Sequence, residues 1–308
     1  SGFTTAFATH FLDDLNATRI AWEASREGIQ LLKEIIKEEA IECDWEDVSS
    51  AGFTLSDPSS IQEYYQALHS LDSSLVFEEK DASRLLGFPA KAAYRKPSGE
   101  GQFHIRKFLL GLAERAGAKG AQIFEESPAT KIEENMVRTP HGSVKADWIV
   151  VATGPPLRSY APKIAALLKG VITYVLQVSF RDAKPFARSL FWDDAKPYHY
   201  FRWLNEKEFI QRLSPDTPRK GAGFILGGED HPLGEKPPRP PHLALEEWLQ
   251  GIAGNAQFDI INKWQGTIFY SPDFLPYASA HEAYGERTIF LTGFGGKGMA
   301  DCLLSGKF

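Results

Sequence analysis

Cysteine and methionine are nearly missing from this 308-residue sequence, with two of each. Cys43 and Cys302 cannot build a disulfide framework, so a reduced, cytoplasmic setting is expected. No block of lysine or arginine occurs. The 34 basic and 40 acidic residues are mixed along the chain and leave a formal charge of −6, which argues against a nucleic-acid or anionic-membrane binder. The uncharged runs 148–157 and 170–180 fall well short of the ~20 apolar residues of a spanning helix. Eight histidines form no His-x-His or His-x-x-x-His pair, so no metal site is expected. A Gly-x-Ser-x-Gly elbow is also missing, which leaves a serine hydrolase unsupported. Nor does the sequence open on methionine or an apolar signal segment. It runs from Ser1-Gly2-Phe3-Thr4-Thr5 to Ser305-Gly306-Lys307-Phe308, and we expect a fragment of a longer chain.

What is present is globular in composition, 43% hydrophobic and 24% charged. At roughly 100–200 residues per domain, two domains fit. Residues 12–40 carry apolar side chains (Ile20, Ala24, Leu31, Leu32, Ile35, Ile36) at helical spacing. A short extended piece is expected over 41–45. Residues 46–97 are polar and mixed, with helical stretches near 60–70 and 81–86, and read as an accessory layer rather than a core. A second amphipathic helix is predicted over 103–116, then a short strand at 121–124. Pro140-His141-Gly142 between 137–139 and 143–145 signals a hairpin. Strand-like runs at 171–180, 198–204 and 223–228, divided by turn-rich stretches, predict an antiparallel sheet. Lys236-Pro237-Pro238-Arg239-Pro240-Pro241 is a stiff connector before a helix over 243–252, with a strand at 260–269.

Two apolar runs end in glycine. Trp148-Ile149-Val150-Val151-Ala152-Thr153-Gly154-Pro155 reads as a parallel strand buried on both faces. Thr288-Ile289-Phe290-Leu291-Thr292 reads as a buried strand entering Gly293-Phe294-Gly295-Gly296-Lys297-Gly298-Met299 and then a helix. Bare backbone N–H groups at a helix start accept anionic or electron-rich atoms. The Walker spacing fails here, and a glycine turn used only for close packing stays open as the alternative.

Those two motifs resemble the downstream flavin motifs of the D-amino-acid-oxidase-like superfamily of FAD-dependent enzymes. Other stretches are similar in the same order. They are Ser1-Gly2-Phe3-Thr4-Thr5-Ala6, Gln102-Phe103-His104, Leu190-Phe191-Trp192-Asp193, Tyr198-His199-Tyr200-Phe201-Arg202, Leu226-Gly227-Gly228-Glu229-Asp230-His231, Trp264-Gln265-Gly266 and Asp273-Phe274-Leu275-Pro276. The strands of the 190–231 region resemble the branch often fused to Rieske domains.

The resemblance implies an α/β fold: a glutathione-reductase-like FAD domain, truncated at its N-terminus, interwoven with an antiparallel-sheet substrate domain. The FAD domain would comprise 1–45, 98–165 and 265–308, the substrate domain 46–97 and 166–264. Thr4, Thr5 and Ala6 would follow the pyrophosphate and ribityl chain, Ala129 the adenine, and Thr153 and Gly154 would close over the dinucleotide. Gly293, Gly295, Gly296, Lys297, Gly298 and Met299 would face the flavin pyrimidine end, with Lys297 acting through its charge or through its backbone alone. The implied activity is transfer of hydride from a C–N bond of a small amine or amino acid to FAD.

The family's opening strand, Gly-x-Gly-x-x-Gly turn and helix have no counterpart in these residues. Thr267 stands where amino-acid oxidases carry a carboxylate-clamping arginine, and Ile225 where sarcosine oxidases carry a lysine. Two rivals therefore stay open: an FAD-free, inactive remnant, and a flavoprotein subunit feeding a redox partner. Tyr198, Tyr200 and Arg202 alternate along one strand and are candidates for a substrate wall, with Arg202 alternatively tying the sheet to the flavin domain. His231 reads as a base or as a loop cap, His104 as structural, and Cys302 as a small buried hydrophobe. No catalytic side chain is named.

Overall fold

The computed structural model describes residues 15–133, 135–155, 158, 161–181, 185–205 and 222–307. Its first element, α1 (Leu15–Glu38), follows the expected periodicity, with Trp22, Ile29 and Leu32 buried. Next come β1 (Glu46–Thr54), α2 (Pro58–His69), β2 (Val76–Glu78), α3 (Ala82–Leu86) and β3 (Ala92–Gln102). Helix α4 (Ile105–Ala118) is capped by His104, whose side chain accepts from the Lys107 N–H at 3.5 Å. A meander of β4 (Lys131–Glu133), β5 (Met136–Thr139) and β6 (Gly142–Lys145) contains the predicted hairpin, and β7 (Ile149–Val151) follows.

The chain continues through α5 (Pro162–Leu167), β8 (Lys169–Phe180), β9 (Ser189–Asp193), β10 (His199–Trp203), β11 (Ala222–Pro232), α6 (Pro241–Ala253) and β12 (Phe258–Tyr270). It closes with β13 (Tyr277–His281), β14 (Gly285–Thr292) and α7 (Gly298–Ser305). No helix of the described residues is long and apolar enough to cross a membrane.

One eight-stranded sheet organises most of this, in the order β12-β8-β11-β10-β9-β1-β3-β2. Its pairings are antiparallel except at β1–β9, which is parallel. The residues of 46–97 are therefore not an accessory layer. Strands β1 and β3 lie inside the sheet, and Phe53 and Tyr94 have no exposed surface. Polar residues misled the reading because Ser50, Thr54 and Lys96 are buried here as well.

Alternation sorts the two faces. Phe53, Leu176, Val178, Phe191, Phe201, Trp203, Phe224 and Leu226 fill one face and pack beneath Leu245 and Leu249 of α6. The opposite face carries Thr173, Val175 and Gln177 of β8 with Tyr200 and Arg202 of β10.

A smaller sheet, β13-β14-β7, joins β14 to β7 in parallel, with Phe290 opposite Val151. The β4–β6 meander packs on it through Ile132 and Val137. The run at 148–154 is not buried on both faces, since Trp148 and Val150 are 58% and 56% exposed. Residues 121–124 form no strand, and Ile123 and Phe124 are exposed too. Residues 41–45 are likewise irregular, turned by positive φ at Ala40 and Asp44. Helix α1 closes over α7, where a Cβ on Gly28 would lie 2.5 Å from the Ala300 carbonyl oxygen.

Candidate active site

The parallel pairing of β7 with β14 decides where the two glycine motifs meet. Both strands end at the same edge, so Thr153-Gly154 and Gly293-Gly295 emerge side by side, and the Thr292 hydroxyl donates to the Gly154 carbonyl at 2.5 Å. Ligands of parallel α/β sheets bind outside such carboxyl ends. Gly154, Gly293 and Gly295 have φ of +76°, +72° and +54°. At Gly295 the constraint is also steric, because a Cβ there would sit 2.4 Å from the Tyr270 ring. One tight turn at 295–297 then opens α7, leaving its first N–H groups at the loop.

Lys297 is buried, at 7% exposure, whereas the reading by its backbone alone took the side chain as solvated. Burial lowers its pKa, opposed by the charges of Asp301 and Asp273. Asp301 is equally buried and pushed up to about 6. Met299 sends its side chain into the apolar cluster of Leu32, Ile41, Phe103 and Phe108, so only its backbone can serve the loop. Gly296 is exposed, and Gly298 has ordinary room for a Cβ. Ala129 is half-buried at the entry to β4. Thr4, Thr5 and Ala6 lie outside the described residues.

Tyr270 links this loop to the large sheet. Its ring covers Gly295, and its hydroxyl hydrogen-bonds that of Tyr198, just ahead of β10. The rings of Tyr198 and Tyr200 are 5.8 Å apart, and the Tyr200 ring lies on Gly227, where a Cβ would meet it at 2.2 Å. Burial raises all three phenols: Tyr200 and Tyr270 to about 12, and Tyr198 well above its ordinary value.

Arg202 does not join the tyrosines in a direct contact. It donates to the Gln102 side chain at 3.3 Å and lies in the field of Glu46, itself paired with Arg188. Glu46 and Gln102 stand opposite each other at the β1–β3 end of the sheet.

Sequence reasoning passed over the residue at the centre of this face. Asp230 is hydrogen-bonded by Thr173 and Tyr198, and burial raises its pKa against them. The motif Gly227-Gly228-Glu229-Asp230-His231 was noted for His231, which instead stacks on Tyr174 (centroids 5.6 Å, 15° between planes). Glu229 adopts φ +55°, a strain on the order of 1–2 kcal/mol for a non-glycine residue.

Beyond β8 the same face borders a cavity of about 600 Å³. Its walls are His104, Arg106 and Lys107 at the start of α4, with Gln177, Asn262 and Trp264 from the sheet. Cys302 is exposed on α7 rather than a buried hydrophobe.

The model of the DAO family, FAD dependent oxidoreductase, matches residues 1–308. The chain belongs to this family. Among its relatives is a putative Rieske 2Fe-2S iron-sulfur protein, YhfW, of Bacillus subtilis strain 168, 26% identical over 301 residues. These residues are 95% of this chain and 55% of the relative. Mitochondrial dimethylglycine dehydrogenase of Mus musculus is 28% identical over 235 residues, 67% of this chain and 27% of that protein. The chain thus spans about half or less of the length of these relatives.

The glycine oxidase structure from Geobacillus kaustophilus superposes with a TM-score of 0.72 at 16% identity, covering 93% of this chain and 77% of the other. L-proline dehydrogenase from P. horikoshii gives 0.72 at 14% identity, covering 92% and 76%. The DAO fold is shared with both, as the residues at 148–154 and 290–299 led us to expect.

Proposed function

We propose that this DAO-family chain is part of an FAD-dependent oxidoreductase that takes hydride from the C–N bond of a small amine or amino acid. The carrying observation is the meeting at Gly295: a glycine loop at the carboxyl edge of two parallel strands, closed against a buried tyrosine wall through Tyr270. The described residues fit a flavin there. Gly295 accepts no side chain, the start of α7 has no side-chain cap, and Lys297 supplies a buried positive charge.

On this reading Gly293, Gly295, Gly296 and Gly298, with the Met299 backbone, hold the pyrimidine end. Thr153 and Gly154 close over the dinucleotide, Ala129 meets the adenine, and Thr4, Thr5 and Ala6 follow the pyrophosphate. FAD, when bound, would supply the hydride acceptor for oxidation of the C–N bond to an imine. Lys297 and the helix start would favour negative charge on a flavin held there. Tyr198 and Tyr200 orient the substrate carbon and exclude water, with Arg202 beyond them.

We assign 1–45, 98–165 and 265–308 to the flavin part and 46–97 and 166–264 to the substrate part. Support comes from the eight-stranded sheet, drawn from 46–102 and 169–270. A cytoplasmic setting goes with two cysteines that are both free thiols.

The Rieske protein among the relatives favours a second reading, in which the reduced flavin passes electrons to a redox partner rather than to oxygen. Anaerobic mixing of the FAD-loaded chain with amines and amino acids tests both. Bleaching of the flavin band is expected. Re-oxidation by air with peroxide release supports an oxidase, and slow re-oxidation without peroxide supports the partner-coupled form. A loaded chain that no amine or amino acid bleaches would overturn both.

A further inference from the structure

We propose that Asp230 anchors the cationic nitrogen of the substrate, so that this site selects amines and needs no carboxylate clamp. The inference rests on the amine-oxidising reading and deepens it.

The backbone isolates this carboxylate. Pairing of β11 with β8 is regular to Gly228–Tyr174 and resumes at His231–Ile172, so Glu229 and Asp230 together stand opposite Thr173. Such a bulge re-aims side chains. It divides the two acids. Glu229 meets Arg239 at 3.2 Å and His199 Nε2 at 3.4 Å. Asp230 is sent among hydroxyls instead and forms no ion pair with a described residue.

The Thr173 and Tyr198 hydroxyls beside Asp230 favour its charged form. Thr173 also shares a hydrogen bond with the Tyr200 hydroxyl, 3.1 Å away, and Tyr198 donates to Tyr270. Amid this cluster Asp230 Oδ1 is buried without a hydrogen-bond partner.

A donor from outside the cluster must complete it, and an ammonium brings charge-assisted hydrogen bonds that a neutral group lacks. The surrounding tyrosine rings favour a cation further. A carboxylate in the same place would meet a like charge. The nearest arginine along β10, Arg202, is already engaged by Gln102. Thr267, on β12 opposite Ile172, is neutral. Through Tyr198 and Tyr270 the cluster reaches Gly295, which places the anchored nitrogen beside the loop assigned to the flavin.

Calorimetry with propylammonium and with propionate, on the chain with and without FAD, tests this. Propylammonium should bind at least tenfold more tightly than propionate, and Asp230→Asn should lose at least tenfold of the propylammonium affinity. Tyr198→Phe removes one donor and keeps the charge, so it should retain the preference and serves if the asparagine variant does not fold. Equal binding of propylammonium by wild type and Asp230→Asn would overturn the proposal, as would tighter binding of propionate by wild type or by Tyr198→Phe. Because heat of binding is read without flavin chemistry, a chain that binds the amine yet bleaches with no substrate would sink the oxidoreductase reading and leave the anchor standing.

Discussion

Lys297 and Asp301 put opposite charges inside the protein one helical turn apart. Asp301 titrates near 6 in the folded chain against an ordinary value of 3.8, because burial disfavours its charged form. The folded state therefore holds this proton more tightly than the unfolded state. Its stability rises as pH falls from about 6 toward 4, and ionisation above 6 costs it. A shift of two units bounds the effect at roughly 3 kcal/mol. Thermal melts of wild type and Asp301→Asn across that range should show wild type gaining on the variant as pH falls. A difference that stays constant with pH would contradict the assignment. The glycines around Lys297 were legible, since a strand running into four glycines and a helix has few physical uses. The burial of Lys297 was not, because its surroundings include the Asp273 loop, which no motif joins to it. The Asp230 position was hidden for a related reason: a bulge belongs to a strand pair, and one strand read alone does not contain it.

Among the elements, those with a strong period were read correctly and those defined by their neighbours were not. Helices α1, α4 and α6 and strands β8 and β12 follow from spacing and apolar runs. Strand β1, Glu46-Asp47-Val48-Ser49-Ser50-Ala51-Gly52-Phe53-Thr54, hides its place inside the sheet behind small and polar residues. Gly52 is bare because rings lie over it: a Cβ there would sit 2.7 Å from Trp192 and 2.8 Å from Tyr94. The apolar Ile123-Phe124, taken for a strand, is exposed. Denaturant unfolding separates the two. Phe53→Ala should cost about 3–5 kcal/mol, as for a buried aromatic, whereas Ile123→Asp should stay within about 0.5 kcal/mol. The reverse order would mean that the sheet has been assigned to the wrong segments.

For the whole molecule the argument is one of convergence. The small parallel sheet delivers Gly154 and Gly293 to one edge, the large sheet delivers Tyr198, Tyr200 and Asp230 to one face, and Tyr270 on Gly295 joins them. Family membership was legible because the motifs occur in order along nearly the whole chain. How the two sheets meet was not, since no motif contains both Gly295 and Tyr270. The central claim is that this junction holds a flavin, and its most direct test is a titration of the chain with FAD followed in the visible flavin band, beside Gly295→Ala. A methyl group at φ +54°, 2.4 Å from the Tyr270 ring, must push the loop and the tyrosine apart. The account predicts saturable uptake of FAD by wild type, weakened at least tenfold in a Gly295→Ala variant that still melts cooperatively. FAD binding that is equally tight in a folded Gly295→Ala protein, or no uptake by the wild-type chain, would contradict it.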